Sequence, residues 1–387
     1  MDTKEFFLDC VSAALTGRRV HAPEDCDWDA LLKLSHEQKL TALVYAAAFQ
    51  AAGKQPAWRS AAIRDVAFQT QRSAAFCALY RELSERGLQP LVVKGILCRE
   101  TYPDPDARIS SDEDLYVPAE AYMRFHRTML ELGFDAEDPD MKNAHELRYY
   151  RNGLMIEGHW ELFPQDNTAL NALNALSDGF WARAVMREIS GVPMRVLDET
   201  DHMTFLLLHL FKHFINSGAG VRQLCDVAQW SKAYPVEWTR VRDAMRLAHA
   251  EVFAGAVFDA GERFFGMNYP AGWPRADCGA LLDDAIDGGV YGSATMSRKH
   301  SGSMTLAAVE DQERASGFRS LARTIFPNRA VMESSYPWVK KSAALLPAAW
   351  TLRIVKYLGT RGANNTASES MKIGAERLKL MKQYQIL

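Results

Sequence analysis

The chain has 387 residues, of which 48% are hydrophobic and 24% are charged, and its formal net charge is −3. This composition excludes an intrinsically disordered chain, and 387 residues are enough for two or three domains. The near-neutral charge also excludes a bulk electrostatic attraction to nucleic acid or to an anionic membrane.

The cysteines and the N-terminus indicate a cytoplasmic protein. The six cysteines are scattered without a C-x-x-C pair, and the opening MDTKEFFLDCVSAAL has neither a basic region nor a long apolar run. These features favour reduced thiols and the absence of a secretory leader. No apolar run reaches the length that spans a bilayer, so we expect no stable membrane insertion.

Residues 1–86 have the pattern of an N-terminal helical segment. The stretches WDALLKLSHEQKLTALVYAAAFQAAG and AAIRDVAFQTQRSAAFCALYRELSERG place apolar residues three and four positions apart, and both close on glycine. This spacing predicts amphipathic helices.

Residues 87–198 alternate between strand and helix patterns. The runs LQPLVVKG, DEDLYV, ELRYYRN and GLMIEGHWELF predict strands. The stretch PAEAYMRFHRTMLELG begins with proline, has a periodic apolar face and ends on glycine, so it predicts a helix after the second strand.

From residue 199 to residue 387 we expect a C-terminal helical domain. Its first candidate helices are ETDHMTFLLLHLFKHFINSG, GVRQLCDVAQWSKAYP, EWTRVRDAMRLAHA and EVFAGAVFDAGERFFG. The Gly/Ser-rich stretch 287–303 predicts a mobile loop. The predicted fold class is therefore α+β, a mixed β-sheet with flanking helices between two helical segments.

The strand DEDLYV carries the first candidate site. Asp112 and Asp114 alternate with Glu113, so the two aspartates project from one face of a strand and Glu113 from the other. Two carboxylates at this spacing suit Mg²⁺ and leave room for phosphate oxygens. A solvated acidic strand end is an equally good interpretation of the D-x-D pattern alone.

Glu157, in the strand LMIEGHWEL, is the candidate third carboxylate. On a strand it shares a face with His159 and Glu161. Together with Asp112 and Asp114 it would complete the cluster that two metal ions need in phosphoryl transfer. The alternative for Glu157 is a surface carboxylate on the rim of the sheet.

Candidate phosphate ligands lie near the acidic pair. Gly95, in the turn before the predicted helix ILCRETY, would let a ligand approach the backbone, and the helix N-terminus offers N–H groups. Lys94 would add a mobile cation, and Arg108 is a further phosphate-pairing candidate. Ser111 and Arg222 complete the predicted nucleotide-binding set.

The helical domain contains a second constellation of polar residues. His209 and His213 lie four positions apart on one predicted helix, as do Arg222 and Asp226 on the next. No third ligand follows the histidines at motif spacing, so they are expected to line a cleft or the core rather than to bind Zn²⁺. Arg222 either pairs with Asp226 on the helix surface or faces the nucleotide across a cleft.

The run LVVKG…YPDPDARISSDEDLYV, followed by IEGHWEL, resembles the uncharacterised bacterial nucleotidyltransferase-like family of the DNA polymerase β superfamily. The resemblance continues through HLFKHF…GVRQLCDVAQW to ERLKLMKQYQIL and covers most of the chain. It implies a nucleotidyltransferase-type sheet, Asp112 and Asp114 as the first metal-binding pair, and Glu157 as the third carboxylate. It also implies a phosphate-binding turn at Lys94–Gly95. The superfamily more often has Gly-Ser at that turn and Asp as the third acid.

The function that the resemblance implies is Mg²⁺-dependent transfer of a nucleoside monophosphate from an NTP, with two Mg²⁺ ions and an unknown acceptor. The acceptor classes that stay open are a protein, a small molecule and an RNA end. A D-x-D nucleotide-sugar glycosyltransferase is disfavoured by the K-G turn and by the helical C-terminal half. An inert nucleotide-binding or scaffold protein is favoured only by the missing serine in the turn.

Overall fold

A seven-stranded sheet of parallel and antiparallel strands is the framework of the computed structural model. The structure describes residues 2–48, 55–137, 145–165, 167–216, 218–290, 346–359 and 366–387, and single positions at 305, 309, 332, 336, 338, 339, 342 and 345. The mixed sheet with flanking helices confirms the predicted α+β class.

The first described block is helical, as predicted. Its helices are α1 Thr3–Thr16, α2 Trp28–Glu37, α3 Thr41–Ala47 and α4 Pro56–Glu85. The predicted stretch from Trp28 is broken between α2 and α3, where Lys39 has a φ of 54°. The side chain of Gln38 stabilises this break, because it donates to the carbonyl of Ala285 over 2.8 Å and accepts from the amide of Val221 over 2.9 Å.

The sheet has the strand order β3-β4-β5-β2-β1-β7-β6. Its strands are β1 Leu91–Val92, β2 Glu113–Tyr116, β3 Asp135–Ala136, β4 Glu146–Arg151, β5 Leu154–His159, β6 Val185–Ile189 and β7 Val192–Val196. The predicted strand through Phe163 is too long, since β5 ends at His159. Glu161 therefore lies beyond the strand, and its predicted place on the face of Glu157 is wrong.

The hairpin of β6 and β7 was absent from the sequence prediction. Its two-residue turn consists of Ser190 and Gly191, with φ values of 48° and 74°. Two residues with positive φ match the twist of a tight hairpin. The S-G pair between two apolar, alternating runs was the signal that could have predicted it.

The remaining helices flank the sheet and form the C-terminal part. They are α5 Ile96–Arg99, α6 Ala119–Glu131, α7 Thr168–Ala172, α8 Ser177–Arg183, α9 Glu199–Asn216, α10 Val221–Ala233, α11 Trp238–Leu247, α12 Glu251–Phe264, α13 Gly279–Gly288, α14 Leu346–Gly359 and α15 Thr366–Gln383. Most of the predicted loop 287–303 lies outside the described residues. Among the described helices, none combines the length and apolar character needed to cross a membrane.

One hydrophobic core contains residues from all three predicted blocks. It includes Phe7 of α1, Leu115 of β2 and Phe253 of α12, each fully buried. Burial of such side chains from distant parts of the chain favours cooperative folding of the sheet with the helices around it. The boundaries at residues 86 and 198 stay a prediction.

His202 on α9 makes the unfolding free energy of the protein depend on pH. Its ring stacks on Trp230 with centroids 3.9 Å apart. Burial, followed by the charge of Arg187, lowers the pKa of His202 from 6.5 to about 3. As the pH falls, His202 is protonated in the unfolded state before it is protonated in the folded state. The contribution of neutral His202 to the unfolding free energy is therefore complete above pH 6.5 and is lost as the pH falls toward 3.

The variant His202→Phe is expected to keep the ring stack and to remove this pH dependence. Between pH 7.5 and 5.5 the parent should lose about 1.4 kcal/mol of unfolding free energy more than the variant. Urea unfolding of both proteins at the two pH values measures the difference. Equal losses in parent and variant would contradict a neutral, buried His202.

Candidate functional site

A cavity of about 370 Å³ lies beside β2, β4 and β5. Residues with ionisable or hydroxyl groups provide most of its lining: Lys94, Ser111, Asp112, Glu146, Arg148, Glu157, His209, Lys212 and His213. A larger cavity, of about 570 Å³, lies between α13 and α15 and contains none of the predicted site residues. The smaller cavity is therefore the candidate site.

The pairing of β2 with β5 brings the predicted carboxylates together. The two strands are parallel, and Asp114 is directly opposite Glu157 in the register. Asp112 lies just before β2 and lines the cavity together with Glu157. Donor atoms of Asp114 and Glu157 lie within 4.8 Å of each other, so the longer side chain of glutamate does reach the aspartate.

Asp114 is buried between two basic side chains. Lys94 Nζ lies 3.1 Å from its Oδ2 atom, and His159 Nε2 lies 3.3 Å from its Oδ1 atom. Burial alone would raise the pKa of Asp114, but the charge of Lys94 and the contact with His159 outweigh burial and hold it below its usual range. Asp114 is therefore ionised at neutral pH.

Glu157 has the opposite shift. Burial, followed by the charges of Glu146, Asp114 and Asp112, raises its pKa to about 7. Arg148 Nε donates to Glu157 Oε1 over 2.9 Å, and this contact does not outweigh the combined effect of burial and three carboxylates. A fraction of Glu157 is therefore protonated at neutral pH, whereas Asp114 is ionised.

The two histidines of α9 line the cavity, and of the two predicted positions, cleft or core, they therefore take the first. His209 Nε2 lies 3.0 Å from Lys94 Nζ, and His213 Nε2 lies 3.0 Å from His209 Nε2. Burial and then the charge of Lys94 lower the pKa of His209 well below its usual value. A neutral His209 accepts a hydrogen bond from the ammonium group and holds Lys94 beside the carboxylates.

Gly95 serves a different purpose from the predicted one. Glu113 Oε2 accepts a hydrogen bond from the amide of Ile96 over 2.7 Å, and Arg99 Nη1 lies 2.8 Å from Glu113 Oε1. A Cβ atom on Gly95 would lie 2.0 Å from Glu113 Oε2. The close approach at this turn is therefore that of Glu113, and the prediction that a phosphate approaches there is corrected.

Replacement of Gly95 by Ala is expected to cost about 3 kcal/mol of unfolding free energy or more. The residue has a φ of 68°, and its new methyl group would displace the buried Glu113 carboxylate. Gly17→Ala is the matched control, since Gly17 has a φ of 72° and open space around its Cβ position. Urea unfolding should show a loss of about 1 kcal/mol for this control. Similar losses in the two variants would contradict the crowding argument.

Arg108 is also placed differently from the prediction. It is 0% exposed, and it donates to both oxygens of Asp226, from Nη2 over 2.6 Å and from Nε over 3.0 Å. Tyr102 adds a hydrogen bond of 2.8 Å from its hydroxyl to Asp226. Two N–H donors of the Arg108 guanidinium are bound to Asp226, so Arg108 is a structural residue. The prediction that it contacts a phosphate is corrected.

Arg222 likewise does not line the cavity. Its guanidinium contacts the carbonyl of Ile109, and its side chain is buried. The predicted surface pair with Asp226 is wrong, because Asp226 is 3% exposed and pairs with Arg108 instead. Arg222 therefore supports the loop that leads into β2.

Several residues in or next to the cavity were missed in the sequence. Lys212 lines the cavity from α9. Lys39, in the break between α2 and α3, contacts the hydroxyl of Ser111, which lines the cavity. Glu146 and Arg148 lie two positions apart on β4 and point to the same face. That alternation in ELRYYRN was a usable signal, whereas no local pattern indicated Lys39.

A family model described as an uncharacterised nucleotidyltransferase matches residues 24–266. The chain belongs to this nucleotidyltransferase family. The matched span runs from before α2 to the end of α12 and includes every residue of the candidate site. Membership supports a general nucleotidyltransferase function. Searches among curated proteins and among solved structures find no match.

In this member of the family, the carboxylate oxygens in and beside the cavity suit a hard divalent cation. Asp112, Asp114 and Glu157 offer carboxylate oxygens, which are the ligands that Mg²⁺ prefers. The buried Oδ2 atom of Asp114 lies 3.1 Å from Lys94 Nζ. Since Lys94 occupies one side of this oxygen, a bound cation and the lysine would compete for it.

Proposed function

We propose that this nucleotidyltransferase uses Mg²⁺ to transfer a nucleoside monophosphate from an NTP to an acceptor. The register of β2 and β5 carries the proposal, since it sets Asp114 opposite Glu157 beside Asp112. Asp112 and Glu157 line a cavity that also holds Lys94, and the buried Asp114 lies behind them within 4.8 Å of Glu157. Such an arrangement would provide both a cation site and a phosphate partner.

Asp112, Asp114 and Glu157 would hold the metal. A bound Mg²⁺ would neutralise charge on the triphosphate and lower the pKa of the attacking oxygen. The ionised state of Asp114 at neutral pH prepares the cluster for a cation, because this carboxylate needs no deprotonation before binding.

The basic residues of the cavity would bind the phosphates. Lys94 from the turn after β1, Arg148 from β4 and Lys212 from α9 line the same space. Lys94 has a side-chain exposure of only 10%, so its charge is weakly screened by water. Fixed charges of this kind stabilise a transition state without reorganisation during the reaction.

The test uses NTPs labelled at the α- or the γ-phosphate, incubated with the protein, Mg²⁺ and separate protein, RNA and small-molecule pools of a cell extract. We expect label from the α-labelled NTP, but not from the γ-labelled NTP, in one pool, which would also identify the acceptor class. Transfer of the γ-label would indicate a kinase. Mg²⁺-dependent NTP binding without transfer to any pool would favour an inert nucleotide-binding protein.

A further inference from the structure

A second group of metal-ligand side chains adjoins the cavity. His145 Nε2 lies 3.3 Å and His159 Nδ1 lies 3.2 Å from one oxygen, Oε2 of Glu146. Each of the three residues offers a ligand atom, and these three atoms lie within 4.8 Å of one another. Neighbouring ligands around an ion with bonds of about 2.1 Å are roughly 3 to 3.5 Å apart, so two of the three separations match such an ion.

The nitrogen atoms of this group lack the hydrogen bonds expected of buried polar atoms. His145 Nε2 and His159 Nδ1 are both buried and have no hydrogen-bond partner in the described part of the chain, although both face Glu146. His159 as a whole is 3% exposed. Burial of a nitrogen atom without a hydrogen bond costs free energy, and a metal ion that accepts the lone pairs of both nitrogen atoms removes this cost.

Neighbouring residues hold the donor atoms in place. His159 Nε2 contacts Asp114 Oδ1 over 3.3 Å, which places the ring proton on Nε2 and leaves the lone pair of Nδ1 toward Glu146. Arg148 Nη2 donates to Glu146 Oε1 over 3.3 Å and leaves Oε2 for the histidines. The carbonyl of His145 accepts from the amide of Trp160 over 3.1 Å, which anchors the first histidine at the end of β5.

We propose that His145, Glu146 and His159 form a binding site for a transition-metal ion, with Zn²⁺ as its preferred occupant. Two imidazoles and one carboxylate are a donor set that suits Zn²⁺, whereas Mg²⁺ prefers oxygen ligands. The site adjoins the three carboxylates proposed for Mg²⁺, uses different donor atoms and does not depend on the proposed function. His159 contacts both groups, so an ion on its Nδ1 atom would fix the ring that holds Asp114.

The experiment measures metal binding directly. The full chain is freed of metal with a chelator and titrated with Zn²⁺ in competition with a chromophoric chelator, and Co²⁺ absorption in the visible range provides a second readout. We expect one equivalent of Zn²⁺ to bind the parent. The variant His145→Ala should bind it at least ~100-fold more weakly, and Glu146→Gln is a second ligand variant if the first does not fold.

Two controls separate this site from other sites. His21→Ala removes an exposed histidine and should bind Zn²⁺ as the parent does. Asp112→Asn alters only the proposed Mg²⁺ cluster and should also retain binding. The proposal is overturned if the parent binds less than one equivalent, if both ligand variants bind as tightly as the parent, or if Asp112→Asn weakens binding as much as His145→Ala.

Discussion

Replacement of Asp112 by Asn is expected to reduce nucleotidyl transfer by about 10³-fold or more, with little change in stability. The amide has the shape of the carboxylate but no charge, so it is a poor ligand for Mg²⁺. Asp112 is a better test than Asp114, because Asp114 also neutralises the buried Lys94 and its loss would destabilise the fold. Single-turnover transfer of α-labelled nucleotide measures the rate.

The control for this variant is Asp135→Asn, which neutralises an exposed aspartate on β3 at the far edge of the same sheet. It should transfer nucleotide at the parental rate. Urea unfolding of both variants should differ from the parent by no more than about 1 kcal/mol. A fully active Asp112→Asn protein would remove Asp112 from the proposed metal site.

Replacement of Asp226 by Leu is expected to cost about 3 to 5 kcal/mol of unfolding free energy. The change leaves the guanidinium of Arg108 buried without its counter-charge and removes the acceptor of the Tyr102 hydroxyl. Burial alone lowers the pKa of Arg108, but the charge of Asp226 outweighs it and raises that pKa above its usual range. The arginine therefore stays charged in the folded protein.

The double variant Arg108→Met, Asp226→Leu is the decisive comparison. It replaces the buried pair by apolar side chains, so most of the lost unfolding free energy should return. Urea unfolding of the parent, both single variants and the double variant forms a complete thermodynamic cycle. Additive losses in the double variant would show that the two residues do not act as a pair.

The local patterns of the sequence predicted much of the secondary structure and part of the site. The helical periodicity of residues 56–85 and the strand DEDLYV correspond to α4 and β2, because each depends on neighbours within a few positions. The alternation of Asp112, Glu113 and Asp114 also placed Glu113 on the face away from the cavity. The alternation in LMIEGHWEL indicated Glu157, and the resemblance to the nucleotidyltransferase family supported it.

The sequence could not predict which charges pair. Asp226 is four positions from Arg222, yet it pairs with Arg108, 118 positions away. Glu113 is likewise neutralised by Arg99 and by the amide at the start of α5. Burial of an unpaired carboxylate costs free energy, so each buried carboxylate pairs with the donors that the packing of distant elements brings next to it.

The sequence by itself indicated most of the helical and strand patterns, the family and the three carboxylates of the predicted site. Only the tertiary structure decided that Lys94 lies against Asp114, that Arg108 is withdrawn from the cavity, and that Glu146 and Arg148 enter it from β4. The physical reason is that the periodicity of a helix or strand decides which of its residues share a face. Strand register and helix packing decide which residues of other elements that face contacts.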